Sequence, residues 1–131
     1  MTRLYAVPDD FEAIIRILTK TEGGRETSPF NGIRWDFSYV SDDPAKHRYM
    51  IWPDFFGPDG ASLPKDFPLP LGKDLPARMT VVVDESREHI HRARIKVGVE
   101  FHCHEGLMKV AVGRVTRITG LNSPRRPLST A

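Results

Sequence analysis

Apolar and polar side chains alternate most regularly in the stretch 94–119 of this 131-residue chain. Alternate side chains of a β-strand point to the same side, so this period of two predicts strands with one buried and one solvated face. The alternation is interrupted at Glu105-Gly106, a pair typical of turns, and it resumes at Met108. We therefore predict a β-hairpin here. In its first strand, the side chains expected to face the core are those of Ile95, Val97, Val99, Phe101 and Cys103.

Four segments before this hairpin also have the length and composition of strands. β-Branched residues dominate the first segment, and apolar residues alternate with polar ones in the second. Six strands separated by turns, with no convincing helical pattern, predict an antiparallel all-β domain that is either closed or sandwiched. The four upstream segments are Phe11–Lys20, Ile33–Val40, Arg48–Trp52 and Ala77–Asp84.

Three remaining segments are predicted to be irregular. The stretch 53–76 contains six prolines and three glycines. Proline lacks the N–H that a sheet needs, so only short extended pieces and turns are expected there. Glu85–Arg92 is expected to be a charged connection. The polar stretch 122–131 contains Arg125 and Arg126 and is predicted to be a flexible basic tail.

Length and composition place the chain among ordinary globular domains. Apolar residues make up 40% and charged residues 27%, and 131 residues suffice for one domain with its own core. The formal charge of +2 neither requires nor excludes a nucleic-acid partner. A single cysteine rules out an internal disulfide framework, and no stretch resembles a membrane span. We expect one cytoplasmic domain over 1–131, with its β-barrel over 11–120 and no membrane contact.

Several motifs follow one another in the order and spacing of a known family. Thr21–Thr27 (TEGGRET) and Phe30–Phe37 (FNGIRWDF) resemble a Glu-Gly-Gly-Arg loop and the strand after it in the third domain of elongation factor Tu. Leu71–Asp74 resembles a turn before the family's middle strand. Phe101–Val115 (FHCHEGLMKVAVGRV) resembles the closing hairpin. The resemblance extends from about residue 11 to residue 120.

This resemblance implies a closed six-stranded antiparallel barrel that binds partners and performs no chemistry. In the family, the domain contacts the T stem of aminoacyl-transfer RNA, the nucleotide-binding domain and protein partners. The matching motif positions imply a binding surface at Arg25, Arg34, Glu105 and Gly106. The chain has no Gly-x-x-x-x-Gly-Lys-Ser/Thr loop, so GTP binding is not expected, and no cofactor is implied.

The chain departs from the family pattern on the surface that faces RNA. Asp36 stands where the family has Gln, and a carboxylate repels RNA phosphates. Leu107 and Met108 replace a Gly and an Arg, which removes a cation from the hairpin tip. Both a protein and a structured, transfer-RNA-like molecule therefore remain open as partners of this non-catalytic module.

A second hypothesis concerns the histidines at and near the hairpin tip. His89 and His91 form one His-x-His pair, and His102 and His104 form another. Side chains two positions apart on a strand point the same way, so adjacent pairs could bind zinc. Cys103 could act as a nucleophile with a nearby histidine as base. The alternation, however, places Cys103 inward, away from His102 and His104. The alternative to the binding module is thus a metal-binding protein or a Cys/His enzyme centred on this tip.

Overall fold

Six antiparallel strands close into a β-barrel in a computed structural model that describes residues 3–128. Around the barrel, the strands follow one another in the order β1-β4-β3-β2-β5-β6, and β6 pairs with β1 to close the sheet. The all-β closed barrel is the architecture predicted from the sequence. The strands are β1 (Phe11–Ile17), β2 (Trp35–Tyr39), β3 (Tyr49–Phe55), β4 (Asp74–Val81), β5 (Glu100–Glu105) and β6 (Met108–Ile118).

The barrel interior is filled by the alternating apolar side chains of its strands. In β1 and β2, the inward residues are all buried, and in β2 this confirms the alternation read from the sequence. Aromatic rings form the centre: Phe37 stacks on Phe101 with ring centroids 4.7 Å apart, and Phe11 meets both rings edge-on. The inward residues of these two strands are Phe11, Ala13, Ile15, Ile17, Trp35, Phe37 and Tyr39.

A short helix, α1, covers the sequence that we expected to be a charged connection. It runs through Asp84–Ser86, Arg87–His91 and Arg92–Arg94, and its middle stretch has π geometry. Arg87 and His91, four positions apart, are both buried. Because these inward side chains are polar, the helix lacks the apolar stripe that a sequence pattern detects. No helix in the described part of the chain is long and apolar enough to cross a membrane.

Strand β5 begins at Glu100, later than the alternation predicted. Gly98, with a φ of +92°, turns the chain, and its N–H donates to the carbonyl of Val115. A side chain is strained at such a φ, so glycine suits this turn. Val97 lies in the turn with 65% of its surface exposed, so its predicted inward position was wrong. Ile95, just after the helix, does reach the core.

Both ends of the proline-rich stretch belong to strands. Pro53 lies in β3 opposite Met79, and Pro76 lies in β4 opposite Ile14. Three residues at each end thus lengthen a neighbouring strand beyond its predicted boundary, and these short extended pieces are of the kind expected for this stretch. Between them, the chain makes turns that are held to the barrel by the buried side chain of Leu69.

A buried ion network joins one end of the barrel to the helix and to the C-terminal segment. The Asp10 carboxylate lies 2.7 Å from Arg87 Nε and 3.0 Å from Arg125 Nη1, and all three side chains are buried. Arg125 also donates to the carbonyl of Val81 and to Asp84. Within the predicted basic tail, Arg125 is thus a structural residue. Residues 129–131 of that tail lie outside the described residues.

Candidate binding face

The four residues that the motifs single out line two adjoining clefts on the side of the barrel. The hairpin cleft has a volume of about 280 Å³, and its lining includes Arg34, Glu105 and Gly106. The loop cleft has a volume of about 470 Å³, and its lining includes Arg25 and again Arg34. Arg34 lines both clefts, which we together call the binding face. The hairpin cleft also contains Trp35, Asp36, Met50, Ile51, Trp52 and His104.

An ion pair connects the loop after β1 to the tip of the β5–β6 hairpin. Arg25 Nη1 lies 2.5 Å from Glu105 Oε2, and the indole N–H of Trp35 donates to the same oxygen at 3.1 Å. Arg25 also donates through Nε to the carbonyl of Thr27. These contacts hold the loop after β1 and the hairpin tip, which line the two clefts, in fixed positions. In the ion pair, the charges of Arg25 and Glu105 neutralise each other. Neither charge is then freely available to a partner.

The hairpin tip is fixed by its backbone and presents apolar side chains outward. Gly106 has a φ of +61°, and its carbonyl accepts a hydrogen bond from the Arg48 guanidinium. Leu107 and Met108 follow directly, with 66% and 43% of their surfaces exposed. Met50, in the neighbouring hairpin cleft, is 51% exposed.

Arg34 takes part in a stack of planar side chains between the two clefts. Its guanidinium carbon lies 4.7 Å from the ring centroid of Trp52, within cation–π distance. The Trp52 ring in turn stacks on Tyr5 at 5.0 Å. Burial raises the pKa of the Tyr5 hydroxyl, and the positive charge of Arg34 opposes this shift. The stack holds the Arg34 side chain in place, and Arg34 nevertheless remains exposed to solvent.

His104 is buried on the outer side of the sheet, which its position in the alternation did not predict. A register shift between Cys103 and His104 and a 2.7 Å hydrogen bond between His104 Nε2 and Ser38 Oγ fix its ring. Burial is the main cause of its lowered pKa. A serine beside a histidine can form a nucleophile and its base. Ser38 is only 1% exposed, so a substrate has no path to its hydroxyl.

The other predicted metal and catalytic residues lie in different surroundings. His89 is exposed on helix α1, whereas His91 is buried beside Tyr39, and the rings of His102 and His104 are 6.3 Å apart. Within residues 3–128, no three His, Cys, Asp or Glu side chains form a group that could hold a metal ion. Cys103 is fully buried, and burial raises the pKa of its thiol.

No protein-family model matches the chain, and no curated protein matches its sequence. The closed barrel follows from the strand pairing alone.

Proposed function

We propose that this protein is a non-catalytic binding module related to the third domain of elongation factor Tu, and that its binding face receives a protein partner. The observation that carries the proposal is the exposure of Met50, which lines the hairpin cleft, and of Leu107 and Met108, which directly follow the cleft residue Gly106. Apolar side chains exposed beside a surface cleft commonly mark an interaction site. A protein partner would remove them from water.

The relation to elongation factor Tu has two supports in the structure. The barrel has the strand number, closure and antiparallel pairing that the resemblance implies. The four motif positions, which are far apart in sequence, meet on one face: Arg25, Arg34, Glu105 and Gly106. The absence of a reachable nucleophile at Ser38 or Cys103 supports a non-catalytic role. The single free cysteine is in keeping with a cytoplasmic location.

The charges of the binding face favour a protein over RNA. Affinity for RNA depends largely on the number of phosphates that cations neutralise. Arg25 is already paired with Glu105, and Asp36 adds a carboxylate to the hairpin cleft. Leu107 and Met108 offer apolar surface rather than charge at the tip. A protein with apolar anchors fits these features better than a phosphate backbone does.

Capture of partners by tip variants tests the proposal. The full chain and its L107D variant are immobilised, and proteins retained from a lysate of the source cells are compared. We expect L107D to lose specific proteins that the unchanged chain retains, because a carboxylate at the tip must be desolvated on binding. V97D is the matched control, since Val97 is equally exposed but lies in the turn before β5. Identical retention by all three chains would contradict the proposal.

The RNA alternative is measured with the same proteins. Fluorescence anisotropy of labelled transfer RNA is followed at low and at physiological salt. We expect no specific binding. A complex that weakens with salt along a steep log–log slope, and that depends on Arg34, would instead indicate an RNA-binding module.

A further inference from the structure

The loop cleft carries positive charge that the protein itself does not neutralise. Its lining includes the side chains of Arg25, Arg34 and Lys65 and no carboxylate from the described chain. Arg25 is paired with Glu105. Arg34 and Lys65 make no salt bridge with any residue between 3 and 128. Two cations from separate parts of the chain thus converge on one cleft.

The same cleft has neutral hydrogen-bonding groups and an apolar rim. Tyr5 and Ser28 bring hydroxyls to its lining, and the guanidinium of Arg34 is held in place by Trp52. Phe30 lines the cleft and is half exposed. Phe67 is exposed to a similar extent and precedes Pro68, whose backbone pairs with that of Phe30. The cleft therefore combines cations, hydroxyls and exposed aromatic surface.

We propose that the loop cleft binds an acidic segment of the protein partner, in which Asp or Glu side chains reach Arg34 and Lys65 beside an apolar residue that covers Phe30. This inference rests on the proposed function, because it names the chemistry of the partner at the same face. A carboxylate matches the guanidinium of Arg34 in charge and in planar geometry. An apolar neighbour would remove the Phe30 ring from water.

An acidic peptide fits the face better than a phosphate backbone does. A nucleic acid that followed the surface from the loop cleft past Arg34 would meet Asp36 in the hairpin cleft. The Asp36 carboxylate would repel its phosphates, whereas Glu105 is already paired with Arg25. A peptide can place its acidic residues in one cleft and its apolar or basic residues in the other. The uneven distribution of charge along the face thus favours a partner whose own charge is uneven.

Peptide selection on the full chain tests this inference. A phage-displayed library of random dodecapeptides is selected against the protein, and the enriched peptides are synthesised and measured by fluorescence polarisation. We expect enrichment of Asp and Glu next to aliphatic or aromatic residues. K65Q and R34Q should each weaken binding about threefold, and the double variant about tenfold. K96Q, which removes an exposed lysine of the loop between helix α1 and β5, should leave affinity within about twofold.

The other outcomes separate this inference from the proposed function. Enriched peptides that lose affinity in L107D but not in K65Q would overturn the acidic-segment inference and leave the protein-binding module in place. Selection of basic or uncharged peptides, or of none, would also overturn it. If transfer RNA displaced the acidic peptides and bound more tightly than they do, the cleft would be a phosphate site. In that case the protein-binding proposal would fail as well.

Discussion

At the scale of single residues, His91 shows how a polar side chain can belong to the core. Its ring is 2% exposed, and its Nδ1 shares a 2.6 Å hydrogen bond with the hydroxyl of Tyr39. The rings of Phe37 and Tyr49 meet it edge-on. Burial, and to a smaller extent the nearby charge of Arg94, lowers the pKa of His91 to about 4. The imidazole is therefore neutral in the folded protein at pH 7.

This burial should make the stability of the fold depend on pH. The unfolded chain takes up a proton at His91 near pH 6.5, whereas the folded chain does so near pH 4. The neutral His91 side chain therefore makes its full contribution to the free energy of unfolding above pH 6.5. This contribution is lost as the pH falls towards 4. It amounts to about 3 kcal/mol of unfolding free energy over that window. Urea unfolding followed by circular dichroism at pH 7.5 and at pH 4.5 measures it.

The H91F variant distinguishes this effect from other titrations. His102 and His104 also have lowered pKa values, so part of the acid destabilisation should remain in every chain. H91F should reduce the difference in the free energy of unfolding between pH 7.5 and pH 4.5, although the variant loses the hydrogen bond to Tyr39. H89Q, which changes an exposed histidine of the same helix, should leave the difference unchanged. Equal pH dependence in H91F and the unchanged chain would exclude His91 as the cause.

Single residues also show which parts of the candidate site a sequence can predict. Motif similarity selected Arg25 and Glu105, both of which lie on the binding face. Their ion pair could not be predicted, because the two residues are 80 positions apart and meet only when the barrel closes. Lys65 was missed because it lies in the proline-rich stretch, where neither a period nor a motif marks it. Only the folded chain places it in the lining of the same cleft as Arg34.

At the scale of elements, sequence patterns succeeded where one face of a strand is apolar and the other is polar. Strand β2 satisfies this condition, and its alternation was predicted correctly. Helix α1 does not, since it places Arg87 and His91 inward. The start of β5 was predicted too early because Val97 continues the alternation through a turn that Gly98 makes. A period alone cannot tell a strand from such a turn.

The pairing of β5 with β6 depends on a glycine that leaves space for an aromatic ring. Phe101 lies opposite Gly113, and a Cβ at position 113 would stand 2.4 Å from the ring of Phe101. The ring is enclosed by the core and cannot move aside without displacing Phe37. The strand pair and the aromatic centre thus require glycine at this position.

G113A should lower the free energy of unfolding by about 1–3 kcal/mol, since it forces a methyl group into a filled core. Chemical denaturation measures the loss. F101L offers a rescue, because the smaller side chain makes room for the added methyl group. In a double-mutant cycle with F101L, the cost of G113A should fall by at least about 1 kcal/mol. Additive costs in the cycle would show that the clash with Phe101 is not what disfavours alanine.

At the scale of the whole molecule, the determinants of stability and of binding occupy different places. The core side chains and the Asp10 network lie inside the barrel and at one end of it. The side chains proposed to contact a partner, such as Leu107 and Lys65, are exposed. Substitutions at exposed positions usually change stability by less than about 0.5 kcal/mol. Loss of binding in L107D or K65Q can therefore be separated from loss of fold.

The barrel should unfold as one cooperative unit together with helix α1 and the C-terminal segment. Strands β1 and β6 close the sheet, and Asp10 holds Arg87 of the helix and Arg125 of the segment. Tryptophan fluorescence reports on Trp35 and Trp52, near the binding face, whereas far-ultraviolet circular dichroism reports on the sheet and helix. The two urea transitions should coincide. D10A leaves two arginines buried without their common carboxylate. It should lower the free energy of unfolding by about 3–5 kcal/mol, and fluorescence and circular dichroism should give the same loss. A fluorescence transition that precedes the other would show that the binding face opens separately, and its clefts would then not be a preformed site.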